Sequence, residues 1–160
     1  MNQLTKEKAK KIYEENLNKI EIKELRDFLL VHSKKVKEIA VLLGNRKNLD
    51  VETLEIAGWI HDIGYIIDEK EHAKNSFEIL EKEGYEISET LKDCILNHGH
   101  TKKPLTPEGE IFQMADKISM IDKDILNTFL QHNKSKIGEE DIAFLEMMIS
   151  QAISFIKRID

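Results

Sequence analysis

The sequence has one cysteine, two prolines and seven glycines among 160 residues, and its net charge is −6. With Cys94 alone, the chain can form neither an intrachain disulfide nor a thiolate zinc site. The acidic balance and the lack of a long basic stretch argue against nucleic acid as a bulk partner. The longest apolar runs, such as residues 39–43, are too short to span a membrane, and the charged N-terminus lacks an apolar signal core. We therefore expect a cytoplasmic protein without a membrane partner.

Apolar residues recur with helical spacing along the chain, and alternating strand patterns are absent. Glycines, including Gly44 and Gly64, punctuate these segments as at helix ends. The periodicity predicts helices at about 5–17, 21–43, 71–83, 107–130 and 139–159, with two more after Asp50 and Ser88. The polar stretch 131–138 is expected to link the last helix without marking a domain boundary. The sequence predicts an all-α bundle of about six or seven helices in a single domain over residues 1–160. The motif core covers about 25–130, and the N-terminal and C-terminal helices pack on it.

Four polar side chains lie on the apolar stripes of four different predicted helices: His32, His61, His98 and Asp116. A single histidine on such a stripe is usually a core residue bonded to a backbone carbonyl, and a single aspartate is usually a cap or a solvated residue. Several inward imidazoles and carboxylates together would repel one another or stay unsatisfied without a cation. The set therefore predicts a metal site.

His61 and Asp62 are adjacent, and neighbours in mid-helix point about 100° apart. Both can reach one ion if the helix ends there, and Gly64 lies where such an end is required. His32, His61, Asp62 and Asp116 would then complete a first metal site.

A second ion could be held by His72 and His98, with the Asp62 carboxylate as a bridge. His100 competes with His98 as the ligand, although Gly99 is expected to end the helix and leave His100 in the loop. Imidazole and carboxylate ligands without thiolate suit Mn, Fe, Co, Ni or Zn, and a histidine-rich set argues against Mg or Ca. We expect one or two divalent transition-metal ions.

The order H…HD…H…H…D resembles the HD-domain superfamily of metal-dependent phosphohydrolases. The resemblance covers about 32–122, in the segments HSKKVKEIAVLL, AGWIHDIGY, HAKNSFEILEKEGY, CILNHGH and FQMADKISMID. It implies a helical bundle around one or two metals that hydrolyses phosphate esters, often of nucleotides. By motif position, His32, His61, Asp62 and Asp116 match the first metal set of that family, and His72 and His98 match the extra histidines of its dinuclear members.

The chain departs from some branches of this superfamily. HD-GYP phosphodiesterases have a lysine after the HDIG glycine, whereas this chain has Tyr65 and no GYP tripeptide. This difference speaks against cyclic di-GMP as the substrate. The further motifs of the large guanosine-tetraphosphate hydrolases are also missing.

The leading functional hypothesis is hydrolysis of a phosphomonoester or phosphoanhydride of a small molecule by metal-activated water. Asp62 and His61 are the candidate catalytic residues. Phosphate contacts could come from Lys102, Lys103 or Lys117, for which plain solvated surface is an equally good interpretation. A di-iron oxygenase with the same six ligands and a non-catalytic binding or scaffold module are the alternatives. The amphipathic last helix is a candidate homodimer face, although packing on the bundle is favoured.

Overall fold

The computed structural model describes residues 2–132 and 138–159, which form an almost entirely helical structure. A turn of 3-10 helix, Ile63–Ile66, follows the third helix, and the short strands β1 (Asn2–Gln3) and β2 (Tyr85–Glu86) pair in parallel. The prediction of an all-α fold is confirmed. The α-helices of the described residues number eight rather than six or seven: α1 Lys6–Leu17, α2 Lys23–Lys47, α3 Val51–Ile60, α4 His72–Lys82, α5 Glu89–Leu96, α6 Pro107–Ser119, α7 Lys123–His132 and α8 Glu139–Ile156.

Side-chain caps fix the start of several helices. The hydroxyl of Thr5 and the carboxylate of Asp50 accept hydrogen bonds from backbone amides three residues later, at the starts of α1 and α3. Ser88 does the same for α5. Thr106 caps α6, which begins at Pro107, a position where the missing N–H of proline has no cost. These starts agree with the positions expected from the sequence.

The prediction that Gly44 ends the second helix is wrong. Helix α2 continues to Lys47 and ends at Asn48, whose φ of 55° gives the left-handed cap. A β-carbon at position 44 would lie 2.4 Å from Cδ1 of Leu54 in α3. Glycine at this position therefore permits the close packing of α2 against α3.

The predicted helix over 107–130 divides into α6 and α7. The Asp122 carboxylate accepts hydrogen bonds from the backbone amides of Asp124 and Ile125, at 2.9 and 3.4 Å, and so begins a new helix. This division accounts for the additional helix. In the predicted link 131–138, residues 133–137 lie outside the described part of the chain, and α8 ends at Ile156 rather than near 159.

Helix α2 lies at the centre and packs against α3, α6 and α7, while α1 packs on α3 and α8 packs on α6. The main core contains fully buried Leu54, Ile60, Leu80, Ile95 and Phe112. No helix among the described residues is long and apolar enough to cross a membrane. The packing brings the middle of α2, the ends of α3 and α5, the start of α4 and the last turns of α6 to one place inside the bundle.

Candidate metal centre

The six candidate ligands converge from five segments of the bundle. His32 lies in the middle of α2, His61 and Asp62 follow α3, and Asp116 lies in α6. The first residue of α4 is His72, and His98 follows α5. Five of these side chains are at most 7% exposed, whereas the His72 side chain is 23% exposed. Solvent therefore reaches the cluster on the His72 side.

The two oxygens of Asp62 face two different groups of imidazoles. Its Oδ2 lies 3.3 Å from Nε2 of His32 and 3.2 Å from Nε2 of His61. Its Oδ1 lies 3.4 Å from Nε2 of His72 and 3.5 Å from Nε2 of His98. Oδ1 of Asp116 approaches Nε2 of His32 at 3.0 Å and that of His61 at 3.8 Å. The Asp62 carboxylate thus lies between two groups of candidate metal ligands.

Helix termination allows His61 and Asp62 to point to the same place. Helix α3 ends at Ile60, His61 occupies the C-cap with helical dihedrals, and Asp62 leaves the helix with φ −111° and ψ 8°. The expected helix end is therefore present, but Gly64 lies in the following 3-10 turn rather than at the end itself.

Backbone carbonyls orient three of the imidazoles. Nδ1 lies 3.2 Å from Ala57 O in His61, 2.6 Å from Glu69 O in His72 and 2.7 Å from Ile95 O in His98. A carbonyl oxygen can only accept, so each Nδ1 carries the hydrogen and each neutral ring presents a lone pair at Nε2. Such a second contact fixes the tautomer in which Nε2 can bind a metal.

In their neutral forms, the lone pairs of His72 and His98 face each other, because their Nε2 atoms are 3.1 Å apart. Nε2 of His32 lies 3.4 Å from that of His61. Oδ1 of Asp62 is buried and accepts no hydrogen bond from any described residue. Two facing lone pairs and an unpaired buried carboxylate oxygen would be costly without a cation. The His and Asp side chains are therefore positioned to hold a metal ion.

The electrostatics of the cluster favour cations. Burial opposes ionisation of both carboxyls, but neighbouring groups hold their pKa values well below the usual range. The imidazoles of His61 and His72 do so for Asp62, and the Lys117 ammonium does so for Asp116. Burial lowers the pKa of His98. The cluster thus presents two carboxylates and at least one neutral imidazole near neutral pH.

The surroundings of His32 favour a positive charge at its Nε2. Burial would lower its pKa, but hydrogen bonds to Asp116 and Asp62 outweigh that effect and raise the pKa to about 9. A metal ion bound to Nε2 would take the place of this proton, so metal binding and protonation compete at the same atom.

Two buried serines that the sequence reasoning missed support the ligands. Ser76 Oγ accepts from the Gly64 amide at 2.8 Å and donates to the carbonyls of His61 and His72 at 2.7 and 2.8 Å. Ser119 Oγ lies 3.3 Å from His32 Nδ1 and donates to the Asp116 carbonyl at 2.7 Å. Each serine follows its ligand by three or four positions on one helix. That spacing could have indicated a contact between each serine and the backbone of its ligand. It could not have indicated the contacts that the serines make with other segments.

The three candidate lysines differ in burial and in their contacts with the cluster. Lys117 is 5% exposed, and its Nζ contacts Oδ2 of Asp116. Lys102 and Lys103 are exposed in the loop before α6, and no described ion pair joins either of them to the cluster. His100 is also exposed, whereas His98 is buried within the cluster.

Comparison with known proteins finds relatives that are similar to this chain over part of its length. Ribonuclease Y of Fervidobacterium nodosum is 37% identical over a stretch that covers 57% of this chain and 18% of that protein. A deoxyguanosinetriphosphate triphosphohydrolase-like protein of Caldanaerobacter subterraneus subsp. tengcongensis is 30% identical over 60% of this chain and 34% of that protein. The chain therefore spans only about a fifth to a third of the length of these relatives.

A solved structure shares the fold over nearly the whole chain. The crystal structure of a predicted HD superfamily hydrolase from an uncultured Thermotogales bacterium has a TM-score of 0.62 and 22% sequence identity. The similarity covers 95% of this chain and 89% of the other.

The family model of the HD domain matches residues 29–121, more than half of the chain. This match begins just before His32 and ends just after Asp116, so it encloses the whole cluster. The chain belongs to the HD domain family.

Proposed function

We propose that this protein is a metal-dependent phosphohydrolase that acts on a phosphomonoester or phosphoanhydride of a small molecule, with a nucleotide as the first candidate. The observation that carries the proposal is the Asp62 carboxylate, whose two oxygens face two pairs of Nε2 atoms at 3.2 to 3.5 Å. The names of two relatives, a ribonuclease and a deoxyguanosinetriphosphate triphosphohydrolase-like protein, refer to RNA and to a nucleoside triphosphate, and this supports a phosphate-containing substrate.

The six side chains would hold one or two divalent transition-metal ions. His32, His61 and Asp116, with Oδ2 of Asp62, form one donor set, and His72 and His98, with Oδ1 of Asp62, form the other. When bound, such ions activate water as a nucleophile and neutralise charge on phosphoryl oxygens. The ligand chemistry favours Mn, Fe, Co, Ni or Zn.

The chain's own residues would perform the remaining tasks. The Asp62 carboxylate would hold the ions through its two oxygens. With a single ion bound at Oδ2, Oδ1, which accepts no hydrogen bond from a described residue, would accept the proton of the attacking water. Lys117 is the cation nearest the cluster and would reduce the repulsion between Asp116 and a phosphate. Lys102, exposed before α6, would contact the phosphate from outside. Because the His72 side chain is partly exposed, the substrate would enter on its side of the cluster.

The test is the release of hydrolysis products, separated by chromatography, from nucleotides, sugar phosphates, dinucleoside polyphosphates and a short RNA. Metal-stripped protein is reloaded with Mn, Co, Ni or Mg, and Asp62→Ala is compared with Asp68→Ala. Asp68 is an exposed aspartate six positions away, so its replacement controls for the loss of a carboxylate. We expect release with a transition metal, loss in Asp62→Ala and retention in Asp68→Ala.

Other outcomes would separate the alternatives. If no compound in the panel is hydrolysed and stoichiometric iron is bound, the result would favour the di-iron oxygenase, which would use the same six residues. If no compound is hydrolysed and no metal is bound, a binding module would be the remaining alternative. Release from RNA alone would contradict the proposed small-molecule substrate.

A further inference from the structure

Helix α8 is apolar on two opposite faces. Between Ile142 and Ile156 its only charged side chain is Glu146. Met148 and Ala152 are buried against the bundle, at 6% and 0% exposure. The opposite face nevertheless carries large apolar side chains that remain in solvent, including Ile142 and Ile153 at 51% and 46% exposure. A helix that is apolar on all sides is normally covered on all sides.

The outer face of α8 carries six neighbouring residues that recur at intervals of three and four, so they form one stripe along the helix. The stripe has an acidic residue at one end, a basic residue at the other, and alternating isoleucines and serines between them: Glu146, Ile149, Ser150, Ile153, Ser154 and Lys157.

The stripe is complementary to itself when reversed. The positions of Glu146 and Lys157 have their midpoint between Gln151 and Ala152. The pair Ile149 and Ser154 has the same midpoint, and so has the pair Ser150 and Ile153. A two-fold axis at this point would place Ile153 opposite Ser150, which leaves space for the larger side chain, and each Glu146 opposite a Lys157.

Exposed apolar residues flank the stripe. Met147 and Ile156, at 36% and 40% exposure, are nine positions apart and so lie on its two opposite sides, where each would border the contact. The first turn of α8 is acidic, and Lys157 and Arg158 follow its last turn. An antiparallel partner helix therefore brings opposite charges together, whereas a parallel one would bring like charges together.

We propose that α8 is a dimerisation helix whose partner is the α8 of a second copy of this chain, packed antiparallel about a two-fold axis between Gln151 and Ala152. Such an isologous contact uses the same surface on both copies and closes as a dimer. Because the stripe is one helix wide, it is smaller than the roughly 800 Å² per partner of a standard interface. The dimer is therefore expected to dissociate on dilution.

The test is sedimentation velocity of the full chain over a wide concentration range. Glu146→Lys and Lys157→Glu each turn both symmetric charge pairs from attractive to repulsive, so each should weaken the dimer by about tenfold. The double variant restores both pairs and should recover the original dissociation constant. An equimolar mixture of the two single variants should form a heterodimer, because each charge then meets its opposite.

Exposed Lys11 and Glu15 on α1 provide the matched control, since they form an ion pair far along the chain from α8. The variant Lys11→Glu/Glu15→Lys should leave the dissociation constant unchanged. Ile153→Glu should abolish the dimer while circular dichroism shows unchanged helix content. A wild-type protein that stays monomeric at all concentrations would overturn the proposal. So would a dimer that the single reversals do not weaken, or a mixture that fails to recover.

Discussion

Replacement of Gly64 by alanine is expected to destabilise the protein and to disturb one side of the metal centre. A β-carbon at this position would lie 2.1 Å from the carbonyl oxygen of His72, 2.5 Å from the amide nitrogen of Ser76 and 2.7 Å from Cβ of Asn75. Two of these neighbours are backbone atoms of α4, so the clash cannot be relieved by a side-chain rotation. The start of α4, and with it His72, must move away from Asp62.

The expected cost combines two effects. Overpacking of a filled site costs about 1–3 kcal/mol. The hydrogen bond between the Gly64 amide and Ser76 Oγ, 2.8 Å long, would contribute about 0.5–1.5 kcal/mol when lost. The sum is roughly 1.5–4.5 kcal/mol of unfolding free energy, or a decrease in Tm of roughly 3–18 °C for a chain of this size.

Thermal unfolding and metal titration calorimetry would measure both consequences. Gly99→Ala is the matched control, because a β-carbon there would meet only Cγ of Lys102, at 3.4 Å. We expect the control to stay within about 0.5 kcal/mol of the wild type. A Gly64→Ala variant with wild-type Tm and wild-type metal stoichiometry would refute the argument that glycine sets the distance between α4 and Asp62.

Three further predictions follow from buried groups. Burial opposes ionisation of Asp93, but hydrogen bonds from Thr106 and Asn97 outweigh it and lower the pKa of its carboxyl. Since folding lowers this pKa, the stabilisation is present above the ordinary value of about 3.9 and is lost as the pH falls through the folded value. Asp93→Asn should therefore cost about 1.5–3 kcal/mol at pH 7 in urea unfolding, with a difference that shrinks toward pH 3. Lys117→Met should lower the stability of metal-free protein by about 1–3 kcal/mol, because Asp116 stays buried and keeps His32 but loses the lysine as a partner, and added metal should restore more stability than in the wild type. Removal of metal by a chelator should lower the unfolding free energy of the wild type by about 2.7 kcal/mol for each bound ion, relative to protein at a metal concentration one hundred times Kd. An unchanged melting curve after chelation would contradict this last prediction.

Much of the fold follows from local chemistry. Helix starts such as those at Asp50 and Thr106 follow from the ability of short polar side chains to cap backbone amides. The prediction that Gly44 ends a helix is wrong because glycine occurs both at helix ends and at close contacts between helices. Only the position of Leu54 distinguishes these two cases. The division between α6 and α7 depends on Asp122, whose capping competes with helix continuation.

The candidate site could be predicted in part. His32 and His98 were identified because imidazoles on apolar stripes are costly unless they have partners. The sharing of Asp62 between two donor sets depends on the directions of its two oxygens, which the sequence does not contain. The contacts of Ser76 with the carbonyls of His61 and His72 join segments whose spacing follows from tertiary packing. Similarly, the sequence does not distinguish Lys117 from Lys102. The structure does, because Lys117 is buried and Lys102 is exposed.

Metal stoichiometry tests the central claim most directly. The wild type and the His72→Ala and His100→Ala variants would be stripped, titrated with Co²⁺ or Mn²⁺, and measured by calorimetry and elemental analysis. If the two oxygens of Asp62 serve two donor sets, the wild type binds two ions, His72→Ala binds one tightly, and His100→Ala, which alters an exposed histidine, binds two. Equal stoichiometry in the wild type and His72→Ala, or a loss of metal in His100→Ala, would contradict the assignment of the six residues.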